Sequence, residues 1–298
     1  MMRFRLRLIL VLFLGVSACS DEGKNAVARA CYAGPARMVP IAGGDFMQGE
    51  SPRNPEEGPP HRVRVAPFEI SNHEVTNAEY AAFVRATGYR TKAELDPPKL
   101  PGAPPDMLLP GSAVFTPPTR ENPAWWRWVV GADWRHPEGP ESTIVGKDRD
   151  PVVQVAPEDA QAYATWKGLS LPSEAEWEFA ARAGQPSAPE PIDDNQRPVA
   201  NYYQGAFPAK DTGVDGFTSR APVGCFRPNG FGLYDMIGNV WELTTDKAGP
   251  DSNFAVIKGG SYLCASNYCA RYRPTARQFQ EYGLGVDHVG FRLVKRGH

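Results

Sequence analysis

The stretch from Val256 to Arg277, VIKGGSYLCASNYCARYRPTAR, constrains this chain more than any other. A Gly-Gly pair leads into Cys264 and Cys269, five positions apart, and a dense run of Arg271, Tyr272, Arg273 and Arg277 follows. Two thiols at this spacing can converge on one soft metal ion, close a small disulfide, or simply be buried. Thiolates select Cu(I), zinc or iron–sulfur iron over hard cations. Two sulfurs are too few for structural zinc, which takes four ligands, but they suit the low coordination number of Cu(I).

The rest of the chain sets limits on that reading. At 298 residues it is long enough to bury a substantial core. Basic and acidic residues nearly balance, 32 against 34, so no nucleic-acid partner is expected. Its 29 glycines and 30 prolines argue for many loops and short elements rather than a helical bundle. No helix–strand repeat runs through it, which excludes a parallel α/β sheet. Beyond the N-terminus no apolar run approaches the roughly 20 residues of a membrane span.

Residues 1–19, MMRFRLRLILVLFLGVSAC, read as a targeting segment. Arg3, Arg5 and Arg7 form its basic part, Leu8 to Val16 its apolar part, and small residues end it. The final Val16-Ser17-Ala18-Cys19 has the form of a lipobox, in which Cys19 is lipidated and becomes the first mature residue; an ordinary signal peptide cut near Ala18 is the alternative. The expectation is an exported, periplasmic protein held by acyl chains alone. Ser20 after Cys19 points to the outer membrane. Four cysteines remain, and in an oxidising compartment Cys31 and Cys225 are expected to pair while Cys264 and Cys269 stay functional.

Residues 20–36 are polar and small, a tether before a folded region spanning 37–298. Met38 to Gly49 reads as strand, glycine turn and strand, and Val63, Val65 and Phe68 mark another half-buried strand. Thr76 with Glu79 is a capping box opening a helix, and Ser173 with Glu176 is a second one, its helix expected to stop at Gly184. A helix is also expected from Pro157 through Trp166. Residues 91–122 carry many prolines without a clean period and read as an irregular surface excursion. Four tryptophans, Trp125, Trp126, Trp128 and Trp134, cluster next; core packing is their commoner use.

The segment at 256–277 closely resembles the active-site stretch of the formylglycine-generating enzymes, or sulfatase-modifying factors. Ser261, both cysteines, Tyr268 between them and the Arg-Tyr-Arg tail all match. Further stretches agree: Met38 to Gly49, Gly131 to Pro140, LPSEAEWEFAARAG from Leu171 to Gly184, and Asn229 to Leu243. The resemblance covers about 37 to 295. It implies a compact α+β domain with much irregular chain, related to the C-type-lectin-like group, and a monomer.

The resemblance also implies a reaction and its parts. A cysteine in a sulfatase-type motif (Cys-x-Pro/Ala-x-Arg) becomes formylglycine at the expense of O2, with Cu(I) on Cys264 and Cys269. Ser261 and Tyr268 would hydrogen-bond around the metal and its guests, and Trp241 would wall the O2 pocket. Arg271, Arg273 and Trp134 would face the polypeptide substrate, although either arginine could equally pair with a carboxylate. Two structural Ca2+ ions would be held, one by Asn201, Tyr202, Asp215 and Phe217, the other by Asp235, Gly238, Val240 and Glu242. Plain Asx turns are the other reading of those loops.

The chain departs from the family pattern at several places. Ala265 follows the first active cysteine where histidine is common, and His288 stands where asparagine is usual. Gln154 and Ala156 replace a histidine and a serine; Ala164 and Pro274 replace cysteines of animal members. These leave the thiol pair intact. Two other functions remain open on sequence alone: another periplasmic oxidative maturation enzyme, or a non-catalytic lectin-like lipoprotein with Cys264 and Cys269 in a disulfide.

Overall fold

The computed structural model describes residues 31–99, 101–185 and 190–297. The targeting segment, its lipobox Cys19 and most of the tether therefore lie outside the described residues. Both Met38–Ile41 (β1) and Gly44–Gln48 (β2) form as read, but Gly43, at φ 69°, turns the chain so sharply that they join different sheets. Strand β2 pairs with His61–Val65 (β3), while β1 pairs antiparallel with Phe68–Ser71 (β4).

Thr76 caps the helix Asn77–Thr87 (α1): its hydroxyl accepts the Glu79 amide, and Glu79 returns the bond to the Thr76 amide. Such a cap contributes about 1 kcal/mol. Buried Tyr80, Phe83 and Val84 lie on one face of α1. That face meets the helix Pro157–Trp166 (α2), where Tyr163 stacks on Tyr80. The third helix, Glu174–Arg182 (α3), carries the second capping box; it ends two residues before the expected Gly184, with Ala183 as its cap in the left-handed region at φ 48°.

The 91–122 excursion is not wholly irregular. It holds the strand Gly111–Phe115 (β5), paired residue for residue with Trp126–Val130 (β6). Neighbouring prolines hid β5, and the alternating Trp126, Trp128 and Val130 belong to a strand rather than to a packing cluster.

The sheet that carries the site has the order β11-β10-β9-β12. Its members are Trp241–Lys247 (β9), Phe254–Lys258 (β10), Arg277–Glu281 (β11) and Val289–Gly290 (β12). Only β9 with β12 is parallel in it. The end of the chain supplies two short strands: β12 joins this sheet, and Val294–Arg296 (β13) closes the other one beside β4. The two-residue strands Gly205–Ala206 (β7) and Lys210–Asp211 (β8) form a small hairpin over the site.

Two apolar clusters hold these layers together. The larger packs α1 and α2 against Trp134, Leu243, Ile257 and Phe291; the smaller packs α3, through Trp177, onto Ile41, Phe68 and Ile70. Each fully buried large side chain of this kind contributes about 1.5–3 kcal/mol. Cys31 and Cys225 are disulfide-bonded, tying the start of the described chain to the loop before Asp235.

Candidate active site

Strand β10 ends in Gly259 and Gly260, and here glycine is required. A Cβ on Gly260 would stand 2.6 Å from the Tyr272 backbone, and φ there is 77°. The chain then turns: the Cys264 amide donates to the Ser261 carbonyl, and the Leu263 amide donates to the Ser261 hydroxyl. A second tight loop follows, closed by reciprocal bonds between Ala265 and Tyr268 and by the Ala270 amide on the Ala265 carbonyl. Closing it puts Cys269 and Ala270 in the left-handed region, at φ 69° and 47°. Such residues cost about 1–3 kcal/mol each and persist where the surroundings enforce them.

The result is a convergent thiol pair. The Sγ atoms of Cys264 and Cys269 lie 3.2 Å apart and are not bonded. Cys264 is buried and Cys269 half-buried. The hydrogen bond between the sulfurs, together with burial, pushes the Cys264 thiol up, and the same bond pulls the Cys269 thiol down to about 6. Arg271 beside Cys269 adds to that effect.

The pair stands at the floor of a cavity of about 370 Å³, within the size of a small-ligand site. Ser261 and Trp241 also line it, with Ile257 and Val286 as apolar wall. Trp241 is buried, and its amide donates to the His288 carbonyl. At the mouth Tyr268, 46 % exposed, stacks on Phe207 from the β7–β8 hairpin and leans on Trp125. His288 lies under Trp126, ring centroids 4.8 Å apart.

Not every residue expected at the substrate face is there. Arg271 lines the cavity and also binds Glu56. Arg273 is buried away from it, bonded to Glu57 at 2.6 Å and Thr275 at 2.7 Å. Trp134 is buried too, edge-on to Tyr80 and covered by Arg135. Conversely, Phe207, Phe279, Leu284 and His288 line the cavity without having been read as contact residues. Only His288 carried a signal, as a departure from the family pattern.

The two expected calcium groups differ. In the first, Asp215 Oδ2 and the Tyr202 carbonyl both accept from the Gln204 amide, so they face one point. Burial pushes the Asp215 carboxyl up. Asn201 reaches the same loop through the Ser219 carbonyl, and the Phe217 amide donates to Asp215. These oxygen donors fit a hard cation. The second group does not fit: Glu242 has both oxygens engaged by Arg292 at 2.6 and 2.7 Å and by Trp177 at 2.7 Å. Burial raises Asp235 to about 6, and its Oδ2 accepts the Gly224 amide, leaving Gly238 and Val240 as backbone donors only. Among the described residues no three His, Cys, Asp or Glu side chains form a metal-binding cluster; a two-thiolate copper site and a carbonyl-rich calcium site need no such cluster.

Residues 24–297 match the family described as the sulfatase-modifying factor enzyme 1-like domain. Over 290 residues the chain is 44% identical to the formylglycine-generating enzyme of Mycobacterium tuberculosis, spanning 86% of this chain and 97% of the relative. It is also 44% identical over 283 residues to the formylglycine-generating enzyme of Thermomonospora curvata, spanning 86% and 92%. Among solved structures it is similar to PvdO from Pseudomonas aeruginosa, with a TM-score of 0.62 and 27% identity over 87% of this chain and 94% of that one.

Proposed function

The chain belongs to the formylglycine-generating enzyme (sulfatase-modifying factor) family, and from that premise we propose that Cys264 and Cys269 hold one copper(I) ion and receive the cysteine of a substrate polypeptide there. The enzyme is an oxidase that converts a sulfatase cysteine to formylglycine. The observation that carries the copper reading is the pair of free sulfurs 3.2 Å apart at the cavity floor, in a chain whose other two described cysteines are joined. Soft thiolates and a low coordination number suit copper(I). When bound, that ion supplies the one-electron chemistry by which O2 is reduced.

The protein's own groups do the rest. Cys269, its thiol pulled down by the bond from Cys264, presents the more accessible sulfur. Ser261 accepts the Leu263 amide through its oxygen, which leaves its hydroxyl hydrogen to donate into the cavity. The Tyr268 phenol is pushed up by burial and by the neighbouring Cys269, so it stays a neutral donor at the mouth. Trp125, Phe207 and Tyr268 form an apolar rim that excludes water as a peptide enters.

A single Ca2+ at Asn201, Tyr202, Asp215 and Phe217 would hold the loop whose Tyr203 amide donates to the Cys264 carbonyl. Export with a lipid on Cys19 remains the reading of residues 1–19, and the Cys31–Cys225 disulfide supports an oxidising compartment. The test is conversion of a Cys-x-Pro-x-Arg peptide followed by mass spectrometry. Wild type replaces the thiol by an aldehyde; conversion by Cys264→Ser and Cys269→Ser at the wild-type rate would refute the assignment.

A further inference from the structure

Arg271 bridges two parts of the molecule that are remote in sequence. Its Nε and Nη2 donate to Glu56 Oε1 at 2.9 and 2.6 Å. The same side chain lines the cavity together with Cys269, which stands two positions before it in sequence. Glu56 sits on the 3-10 turn Pro55–Glu57, 213 positions before Cys269 in sequence. The next residue, Glu57, takes Arg273 and turns it away from the site.

Charge explains why this matters. Two thiolates and one monovalent copper ion sum to a net charge of minus one, beside a cysteine that is 2% exposed. An uncompensated buried charge is costly, and a positioned cation offsets it. Arg271 is the lysine or arginine lining the cavity among the described residues. Its side chain is long and carries about 2 kcal/mol of rotamer entropy, so something has to hold it against the sulfur.

We propose that Glu56 is a positioning residue for the copper site: by gripping Arg271 through two N–H bonds it keeps the guanidinium beside Cys269. This rests on the copper reading of the thiol pair. Glu56 acts through geometry, because its own negative charge, felt alone, would disfavour an anionic thiolate complex. The two roles therefore predict opposite signs when the carboxylate is removed.

The experiment is a copper(I) titration of the full chain, reduced at the thiol pair, in competition with a chromogenic copper(I) chelator at fixed pH. Wild type is expected to take up one copper(I), and Cys264→Ser to lose it. Glu56→Ala is expected to weaken copper(I) about tenfold, the lower end for partners that orient metal ligands. Glu56→Gln keeps an acceptor and should recover most of that loss. In an Arg271→Met background, Glu56→Ala should cause no further loss. Arg273→Met, which breaks the adjacent buried pair, should lower the melting temperature while leaving copper(I) affinity within twofold. Glu56→Ala binding as tightly as wild type, or more tightly, overturns the proposal, as does an equal loss in the Arg271→Met background. A wild-type chain that takes up no copper(I) overturns the copper reading instead.

Discussion

The ring of Tyr268 lies flat on that of Phe207, with centroids 4.5 Å apart and planes 7° from parallel. This contact joins the active segment to the β7–β8 hairpin 61 positions earlier. The chain leading into that hairpin is tied to Cys264 by the Tyr203 amide. The cavity mouth is therefore built from two separate turns that depend on each other.

Phe207→Ala should loosen that mouth. An aromatic pair contributes about 0.5–1.5 kcal/mol beyond its buried area. The expected result is a KM for peptide raised roughly three- to tenfold, with kcat changed less. Steady-state kinetics on a peptide series checks it, and an unchanged KM would remove Phe207 from the substrate path.

The two cysteines should differ in reactivity. Alkylation requires thiolate, and an ordinary thiol loses it as pH falls below about 8.5. Cys269 is held below that value by the bond from Cys264, so its labelling should persist to lower pH. Cys264, pushed up and buried, should stay unlabelled. Peptide mapping after brief iodoacetamide treatment reads this directly; labelling of Cys264 first would contradict it.

Arg273 and Glu57 form a buried pair with side chains 3% and 0% exposed. Removing one partner strands the other charge, typically at about 3–5 kcal/mol. Arg273→Met should therefore lower the melting temperature by about 10 °C and leave KM unchanged on the folded enzyme. The pair should also be acid-labile. Burial alone would raise the Glu57 carboxyl, but bonds from the Arg53 amide, Asn54 and Arg273 outweigh it and hold the group below its usual range. A depressed carboxyl stabilises the fold above its unfolded value and loses that contribution as pH falls through the folded one. Wild type should thus lose stability from about pH 4.5 downward, more steeply than Glu57→Gln.

The Cys31–Cys225 disulfide closes a segment with a sequence separation of 194. In the chain-entropy model a loop that long contributes about 5 kcal/mol. Cys225→Ser should melt well below wild type yet still bind copper at Cys264 and Cys269. Retention of the wild-type melting temperature would show the bond to be dispensable.

What was legible in the sequence was local. Thr76 with Glu79 and Ser173 with Glu176 each fix a helix start within four residues, and both formed as capping boxes. The thiol pair was legible because its turn is also local. Strand β5 was not: it is only five residues long between Pro110 and Pro117, and its partner β6 lies beyond a second proline-rich run. Arg271 and Arg273 look alike in sequence, and only the distant Glu56 and Glu57 decide that one faces the cavity and the other the interior. Phe207 and Leu284 reach the cavity from loops that nothing in one sequence brings together.

The most direct measurement is peptide conversion against added copper(I), starting from chelator-treated enzyme under O2. Activity is expected to rise linearly and stop at one copper per chain, and to be absent when either Cys264 or Cys269 is replaced by serine. Full conversion by the metal-free enzyme, or a copper-dependent rate that survives both replacements, would contradict it.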